Sequence, residues 1–488
     1  MHAAAVTLRE LVLAPDVVGR ALRDPGSEAA ALRREARAAG LRLWLACAAI
    51  ADYRAQAPSP AAFAALAADC QWLNALPSDI DPSAEHPLRD ALLRAAARLG
   101  PQARVVSEAG FPEALTPAAA LRTPWSAPAL PFCDLAAQQD RIRPELERRI
   151  DAVLRHGHYI LGPEVAELEA ALAERVGVAH AIACGSGTVS LEIALRALGV
   201  GPGDEVITVA FTWISTAETI AQVGATPVFV DIDPTTFCMD PQRVAAAITP
   251  RTRALVPVSL FGQPAAIERI AAAAPGIPII EDAAQSFGAT RHGRASGALA
   301  LLGSTSFFPA KPLGCYGDGG CLFTADAALA ERLRAIRNHG ATARFQHPYL
   351  GLNGRMDTVQ AAILLAKLTA WDDERERRRA HAARYDAALR SLVTVPAVDE
   401  GNTHVYAQYT VRHPQRDRFQ QLLAQAGIPT AIYYPVGLHR QPPFAACPRP
   451  DGLPETERAC REVISLPLFP DLPEAVPERV AAVARRLA

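Results

Sequence analysis

The stretch Ser304–Gly320, STSFFPAKPLGCYGDGG, decides how the rest of the chain is read. A short apolar strand delivers Lys311, and a glycine-rich segment follows at once. A lysine so placed can be fixed in position and kept near enough to neutral to attack a carbonyl. Taken alone it is equally a solvated loop lysine, so the segments before it carry the argument.

Ile279–Ala284, IIEDAA, ends a buried apolar strand on two acids. Burying carboxylates is costly unless something nearby wants negative charge. A pyridinium nitrogen would, and Asp282 facing it would form a charge-assisted hydrogen bond that keeps the ring protonated and able to accept an electron pair. The plainer alternative is that Asp282 caps a helix starting at Ala283. Ala183–Leu191, ACGSGTVSL, lies between a strand and a helical pattern. Its glycines would let backbone approach a phosphate at a helix N-terminus. It matches neither the Walker A nor the GxGxxG pattern, which argues against nucleoside triphosphate and dinucleotide binding. Phe211-Thr212-Trp213 follows the next strand, where an aromatic could stack on a flat ring or simply pack in the core.

Around these segments strands and helices alternate. Strands are expected at 205–209, 226–230, 254–259 and 278–281, with helices over 186–198, 216–223, 241–248 and 265–274. Apolar strands separated by single helices imply an α/β protein with a mostly parallel sheet covered on both faces. One long helix is expected over 364–389, exposed along its charged stretch 372–379, with a further strand at 405–411.

In this order the motifs resemble the DegT/DnrJ/EryC1/StrS family of sugar aminotransferases, over residues 130–488. The resemblance implies the type I (aspartate aminotransferase-like) fold of pyridoxal 5'-phosphate (PLP) enzymes. It also implies a Schiff-base role for Lys311, with Asp282 on the ring nitrogen, Gln285 near the ring hydroxyl and Trp213 stacked on the ring. Gly187, Thr188 and Ser306 would cradle the phosphate. Asn353 of GLNGRMD would complete a neighbouring subunit's phosphate site, and Arg355 would reach that subunit's substrate carboxylate. Tyr433, Tyr434 and His439 of AIYYPVGLH fall on the substrate side. The text LGCYGDGG and NGRMDTVQAAIL looks most like the branch acting on UDP-linked 3-keto hexuronic acids.

The implied reaction moves an amino group from L-glutamate to a keto sugar on a nucleotide carrier, in a homodimer with shared active sites. Two positions depart from the family pattern. Pro312 stands where asparagine is usual, and Tyr433 stands where histidine is common. A sugar dehydratase of the same fold would carry histidine in place of Lys311. A sensor or scaffold that has lost turnover remains the alternative from another class.

The 488-residue chain is long enough for about three domains. The expected division is an extra N-terminal domain over 1–123, a linker over 124–131, a cofactor-binding domain over 132–374 and a smaller α+β domain over 375–488. The linker is read from TPWSAPALP, whose three prolines resist helix. The N-terminal part, with predicted helices at 28–39 and 86–99, distantly resembles a PIN-type nuclease. Asp16, Asp90 and Glu108 would fall near that fold's acidic cluster, but Ser107-Glu108-Ala109 replaces the usual Thr-Arg-Asp.

A net charge of -2, from 49 basic and 51 acidic residues, gives no electrostatic reason to bind nucleic acid or an anionic membrane. No apolar run suits a membrane span. Glu10 and Asp16 interrupt any signal-peptide core, so a cytoplasmic protein is expected. Nine scattered cysteines without metal-ligand spacing read as reduced thiols, and no metal site is expected.

Overall fold

The computed structural model describes residues 130–487 and, before them, the backbone of four short strands. The chain forms two compact units, Met1–Ala129 and Leu130–Ala488, and the division falls inside the proline-rich stretch. In the first unit, β1 (Glu10–Leu13), β2 (Arg42–Ala46), β3 (Gln71–Leu73) and β4 (Ala103–Val106) form a parallel sheet in the order β3-β2-β1-β4. Asp16, Asp90, Glu108 and the helices expected at 28–39 and 86–99 lie outside the described residues.

The second unit is built on β5 (His180–Cys184), β6 (Glu205–Val209), β7 (Thr226–Val230), β8 (Thr252–Leu255), β9 (Ile280–Asp282), β12 (Leu302–Ser306) and β13 (Gly320–Thr324). A small hairpin, β10 (Thr290–Arg291) with β11 (Arg294–Ala295), sits between β9 and β12 in sequence. Strands β7-β6-β8 form one group and β9-β12-β13-β5 the other. Parallel bridges Leu255 to Ile279 and Val258 to Asp282 join them edge to edge. Six of the seven strands run parallel, and β13 is antiparallel to both its neighbours. The reason is local. The segment from β12 to β13 holds no crossover helix, and without one a chain returns beside its own strand antiparallel. Lys311 sits in that return, past the carboxyl end of β12.

Both faces of the sheet are covered, and every residue of β6 and β13 is buried. The connecting helices are Gly187–Ala197, Ser215–Gln222, Pro241–Ala247 and Ile267–Ala273, within two residues of the expected bounds. The expected strand at 254–259 is shorter, and the one at 278–281 shifts to Ile280–Asp282.

The single helix expected over 364–389 is two helices, Thr358–Leu368 and Trp371–Leu389. Thr369 breaks them, because its Oγ1 turns back to the Ala366 carbonyl at 2.7 Å. The first helix buries nine of its eleven residues. The second is not merely exposed: Trp371, Glu374, Arg378, Ala382, Tyr385 and Leu389 form a buried stripe at helical spacing. Trp371 packs in one core with Phe287 and Phe323, and Tyr385 in another with Tyr409 and Ile464, so this helix crosses the expected boundary at 374/375. The last region pairs β14 (Tyr409–Arg412) antiparallel with β15 (Val463–Leu466). Among the described residues, no helix is long and apolar enough to cross a membrane.

Candidate active site

The candidate side chains gather where the parallel strands end, as ligands do in open α/β sheets. Asp282 closes β9. Its backbone N–H donates to Pro257 O and its carbonyl accepts from Ser259 N–H, both at 2.9 Å, and Ala283 N–H donates to Ser304 O at 2.7 Å. With β8's extension on one side and β12 on the other, the residue cannot shift.

Its neighbour Glu281 points to the opposite face, as alternation requires. There Glu281 accepts from Ser259 Oγ at 2.9 Å, Ser296 Oγ at 2.6 Å and Gly297 N–H at 2.8 Å, so it is a satisfied structural acid. Asp282 instead lines a cavity of about 490 Å³. Thr216 Oγ1 donates to Asp282 Oδ2 at 2.9 Å, and Ala284 N–H to Oδ1 at 3.2 Å. The latter closes a turn, and no helix begins at Ala283.

Lys311 lines the same cavity. Its N–H donates to Phe308 O at 2.8 Å, and Cys315 N–H to Phe307 O at 2.8 Å, which folds the return tightly. A Cβ on Gly314 would lie 2.5 Å from Pro309 O, so only glycine fits there. Burial lowers the Lys311 pKa, opposed by the Asp282 charge. Burial raises the Asp282 carboxyl, opposed by the Thr216 and Ala284 bonds and by Lys311. Each shift favours the neutral form of its group.

Ser186 caps the helix Gly187–Ala197, its Oγ accepting from Val189 N–H at 3.1 Å. The two amides before it, on Gly187 and Thr188, have no intrahelical acceptor and border the cavity. A Cβ on Gly187 would lie 2.6 Å from Ser306 Cβ, so glycine is what lets this helix start approach the end of β12. Thr188 Oγ1 meets Ser215 Oγ at 2.7 Å. The aromatics divide cleanly. Phe211 is fully buried against Tyr434 and Phe261, whereas Trp213 is 59 % exposed and borders the cavity.

Gln285 also lines the cavity, accepting from Phe261 N–H at 2.9 Å and donating to Tyr434 Oη at 3.2 Å. Of the three substrate-side candidates, Tyr433 alone lines the cavity. Tyr434 stands behind Gln285, and His439 is buried against Glu457 with 3.3 Å from Nε2 to Oε1. Asn353 and Arg355 do not line their own chain's cavity. Arg355 pairs as an isolated bridge with Cys184, donates from Nε to Asn353 Oδ1 at 3.0 Å, and donates from Nη1 to Asn338 Oδ1 at 3.1 Å. Among the described residues, no group of three or more His, Cys, Asp or Glu could hold a metal.

Three residues that local pattern did not single out also belong here: Ser215, Thr216 and Gln408. Thr216 lies 66 positions before Asp282, and no short-range motif links them. Lys311 carries a signal of its own, since the chain has only two lysines, Lys311 and Lys367.

The donor set fits a pyridoxal phosphate: an anion site of free helix amides and hydroxyls, a buried carboxylate for a ring N–H, an amide beside it, and a lysine. Fold and site together define a PLP-dependent transferase of the aspartate aminotransferase-like fold. The model of the DegT/DnrJ/EryC1/StrS aminotransferase family matches residues 140–485, and the chain belongs to that family. It is 52 % identical over 347 residues, 70 % of this chain and 96 % of the other, to a Pseudomonas aeruginosa protein named UDP-2-acetamido-2-deoxy-3-oxo-D-glucuronate aminotransferase. A DegT DnrJ EryC1 StrS aminotransferase from Brucella abortus superposes with TM-score 0.72 and 44 % identity, over 73 % of this chain and 99 % of that one. The ntda protein of Bacillus subtilis, solved with bound cofactor PMP, superposes with TM-score 0.67 and 29 % identity, over 73 % and 85 %. The chain is a PLP-dependent aminotransferase.

Proposed function

We propose that the protein transfers the amino group of L-glutamate to a keto sugar on a nucleotide carrier, with a UDP-linked 3-keto hexuronic acid as acceptor. The observation that carries the reading is Lys311 and Asp282 lining one cavity, each felt electrostatically by the other. The substrate class is supported by the activity for which the Pseudomonas aeruginosa relative is named, a protein that this chain matches over 96 % of its length. A dehydratase reading is disfavoured by the lysine itself.

When bound, the cofactor supplies a carbonyl to carry the amino group and a ring to take up an electron pair. Asp282 would hold the ring-nitrogen proton, and Thr216 holds Asp282. The Lys311 amine, biased toward neutrality by burial, would take the proton from the donor's alpha carbon and deliver it to the cofactor carbon that carries the amino group. The amides of Gly187 and Thr188 with Ser306 would hold the phosphate, Gln285 would hydrogen-bond the ring hydroxyl, and Trp213 would pack on the ring. Tyr433 borders the substrate.

The working unit is a homodimer in which Asn353 and Arg355 serve the partner's site. Arg355 bridges Cys184 and Asn353 bridges Asn338, both lie outside their own cavity, and Arg355 suits a hexuronic acid's carboxylate. Seven free cysteines among the described residues suit the reducing cytoplasm. We assign residues 132–374 as the cofactor-binding domain and 375–488 as the smaller one, with the helix Trp371–Leu389 continuous across the boundary between them.

The test is a half-reaction. The pyridoxamine form is mixed with UDP-2-acetamido-2-deoxy-3-oxo-D-glucuronate and with other keto sugar nucleotides while the cofactor's spectrum is followed. Return of the pyridoxal form with the uronic acid supports the reading, and silence across the panel overturns it.

A further inference from the structure

Phe308 and Asp318 line the active-site cavity and have no assigned role. We propose that they form an outer subsite for the acceptor, in which the Phe308 ring packs on a sugar ring and the Asp318 carboxylate accepts hydrogen bonds from its hydroxyls. The inference rests on the amino-transfer reading above and adds two specificity residues to it.

The hairpin that carries Lys311 brings the two side chains together. Ser306 on β12 pairs with Gly320 on β13, and Phe307 N–H continues the register by donating to Gly319 O at 2.7 Å. Phe308 and Asp318 are the next residue on each arm, where the arms part. Side chains alternate along the first arm. Phe307 is fully buried against Phe287, whereas Ser306 and Phe308 border the cavity.

Both positions are held by their backbone. Phe308 N–H donates to Ser306 Oγ at 3.3 Å, and its carbonyl accepts from Lys311 N–H at 2.8 Å. Asp318 stands between two close-packed glycines. A Cβ on Gly317 would lie 2.9 Å from Gln360 Nε2, and one on Gly319 would lie 3.0 Å from Cys315 Sγ. The side chains themselves are free. Phe308 is 52 % exposed, and exposed Asp318 has no hydrogen bond or ion pair among the described residues. Asp282, at the chemical end of the same cavity, is buried. Phe308 and Asp318 therefore stand at its mouth.

The chemistry of the pair selects the ligand. The cavity has to admit anions: the cofactor phosphate, the two carboxylates of L-glutamate and a uronate. A free carboxylate repels each of them, so the group that meets Asp318 is a neutral donor. L-Glutamate has no hydroxyl, and its one N–H group is the one that reacts. A nucleotide sugar carries hydroxyls on two rings, hexose and ribose, and the C–H faces of such rings suit an aromatic surface.

The test compares the two half-reactions in intact holoprotein, for wild type, Phe308→Ala and Asp318→Ala. Single turnovers are measured for the pyridoxal form with L-glutamate and for the pyridoxamine form with UDP-2-acetamido-2-deoxy-3-oxo-D-glucuronate. In each variant the expected loss in kcat/KM for the sugar is about tenfold larger than the loss for glutamate. Repeating Asp318→Ala with the same hexose on a 2',3'-dideoxyuridine carrier separates the sources. The selective loss vanishes there if Asp318 meets the ribose, and persists if it meets the hexose. Equal losses, no loss, or a larger loss with glutamate overturn the subsite while leaving the amino-transfer reading intact. A Phe308→Ala protein that falls from dimer to monomer makes Phe308 an interface residue and overturns its part. Wild-type protein that never turns over the sugar overturns both readings. If either alanine variant does not hold cofactor, Phe308→Leu and Asp318→Asn must show the same selective loss.

Discussion

Thr216 Oγ1 donates to Asp282 Oδ2 at 2.9 Å, from the first turn of one helix to the last residue of a strand. That bond opposes burial, which pushes the Asp282 carboxyl up. Removing it in Thr216→Val raises the carboxyl further, so its anion, proposed to hold the ring proton, is lost at a higher pH as the solution is acidified. We expect kcat to fall about tenfold, the scale of one hydrogen bond to a charged group, with the acidic limb of its pH profile displaced upward. A wild-type profile would show that Thr216 does not support Asp282. Asp282→Asn should bind cofactor and lose most activity.

Gly187→Ala places a Cβ 2.6 Å from Ser306 Cβ, and the two walls of the anion site must part. Cofactor affinity should drop by roughly tenfold or more, since overpacking of this kind costs about 1–3 kcal/mol. Titration of apoprotein with cofactor reads it directly, and unchanged affinity would separate this contact from phosphate binding.

His404 is buried, and burial lowers its pKa from 6.5 to about 3. The unfolded chain takes up this proton below about 6.5 while the folded one does not, so its contribution to stability is lost as pH falls from about 6.5 toward 3. Melting temperature should therefore fall less between pH 7 and pH 5 in His404→Gln than in wild type. An identical fall in both would contradict the assignment of a neutral buried imidazole.

Much of this was legible in the sequence because it is local. Strands β6 and β7 match the runs at 205–209 and 226–230, and Lys311, Asp282 and Gly187 stand in short motifs at strand ends. What local pattern cannot see is who answers across the fold. It cannot divide Glu281 from Asp282 until Ser259, Ser296 and Gly297 are known to take the first. Nor does it separate buried Phe211 from Trp213, which faces the cavity. The strand expected at 405–411 begins at Tyr409 because His404–Gln408 is held to the Phe261–Gly262 turn instead.

Co-expression of two inactive variants tests the shared site. Lys311→Ala removes the lysine, and Asn353→Asp with Arg355→Ala should damage only the partner's site. A mixed dimer then carries one site with both defects and one with neither, and should recover up to about half of a normal dimer's activity. Mixed dimers that assemble and stay inactive would place Asn353 and Arg355 outside the partner's chemistry.

Lys311 is proposed to hold the cofactor, and the chain's composition makes the measurement sharp. Only Lys311 and Lys367 are lysines. Lys367 is buried, its pKa lowered by burial to about 8, with its ammonium 4.5 Å from the centre of the Tyr316 ring. Holoprotein is reduced with borohydride and its peptides are mapped by mass spectrometry. A pyridoxyl label on Lys311, absent from Lys367 and lost in Lys311→Ala together with the cofactor's visible absorbance, is the predicted result. A label on Lys367, or one that persists at full yield in Lys311→Ala, would contradict it.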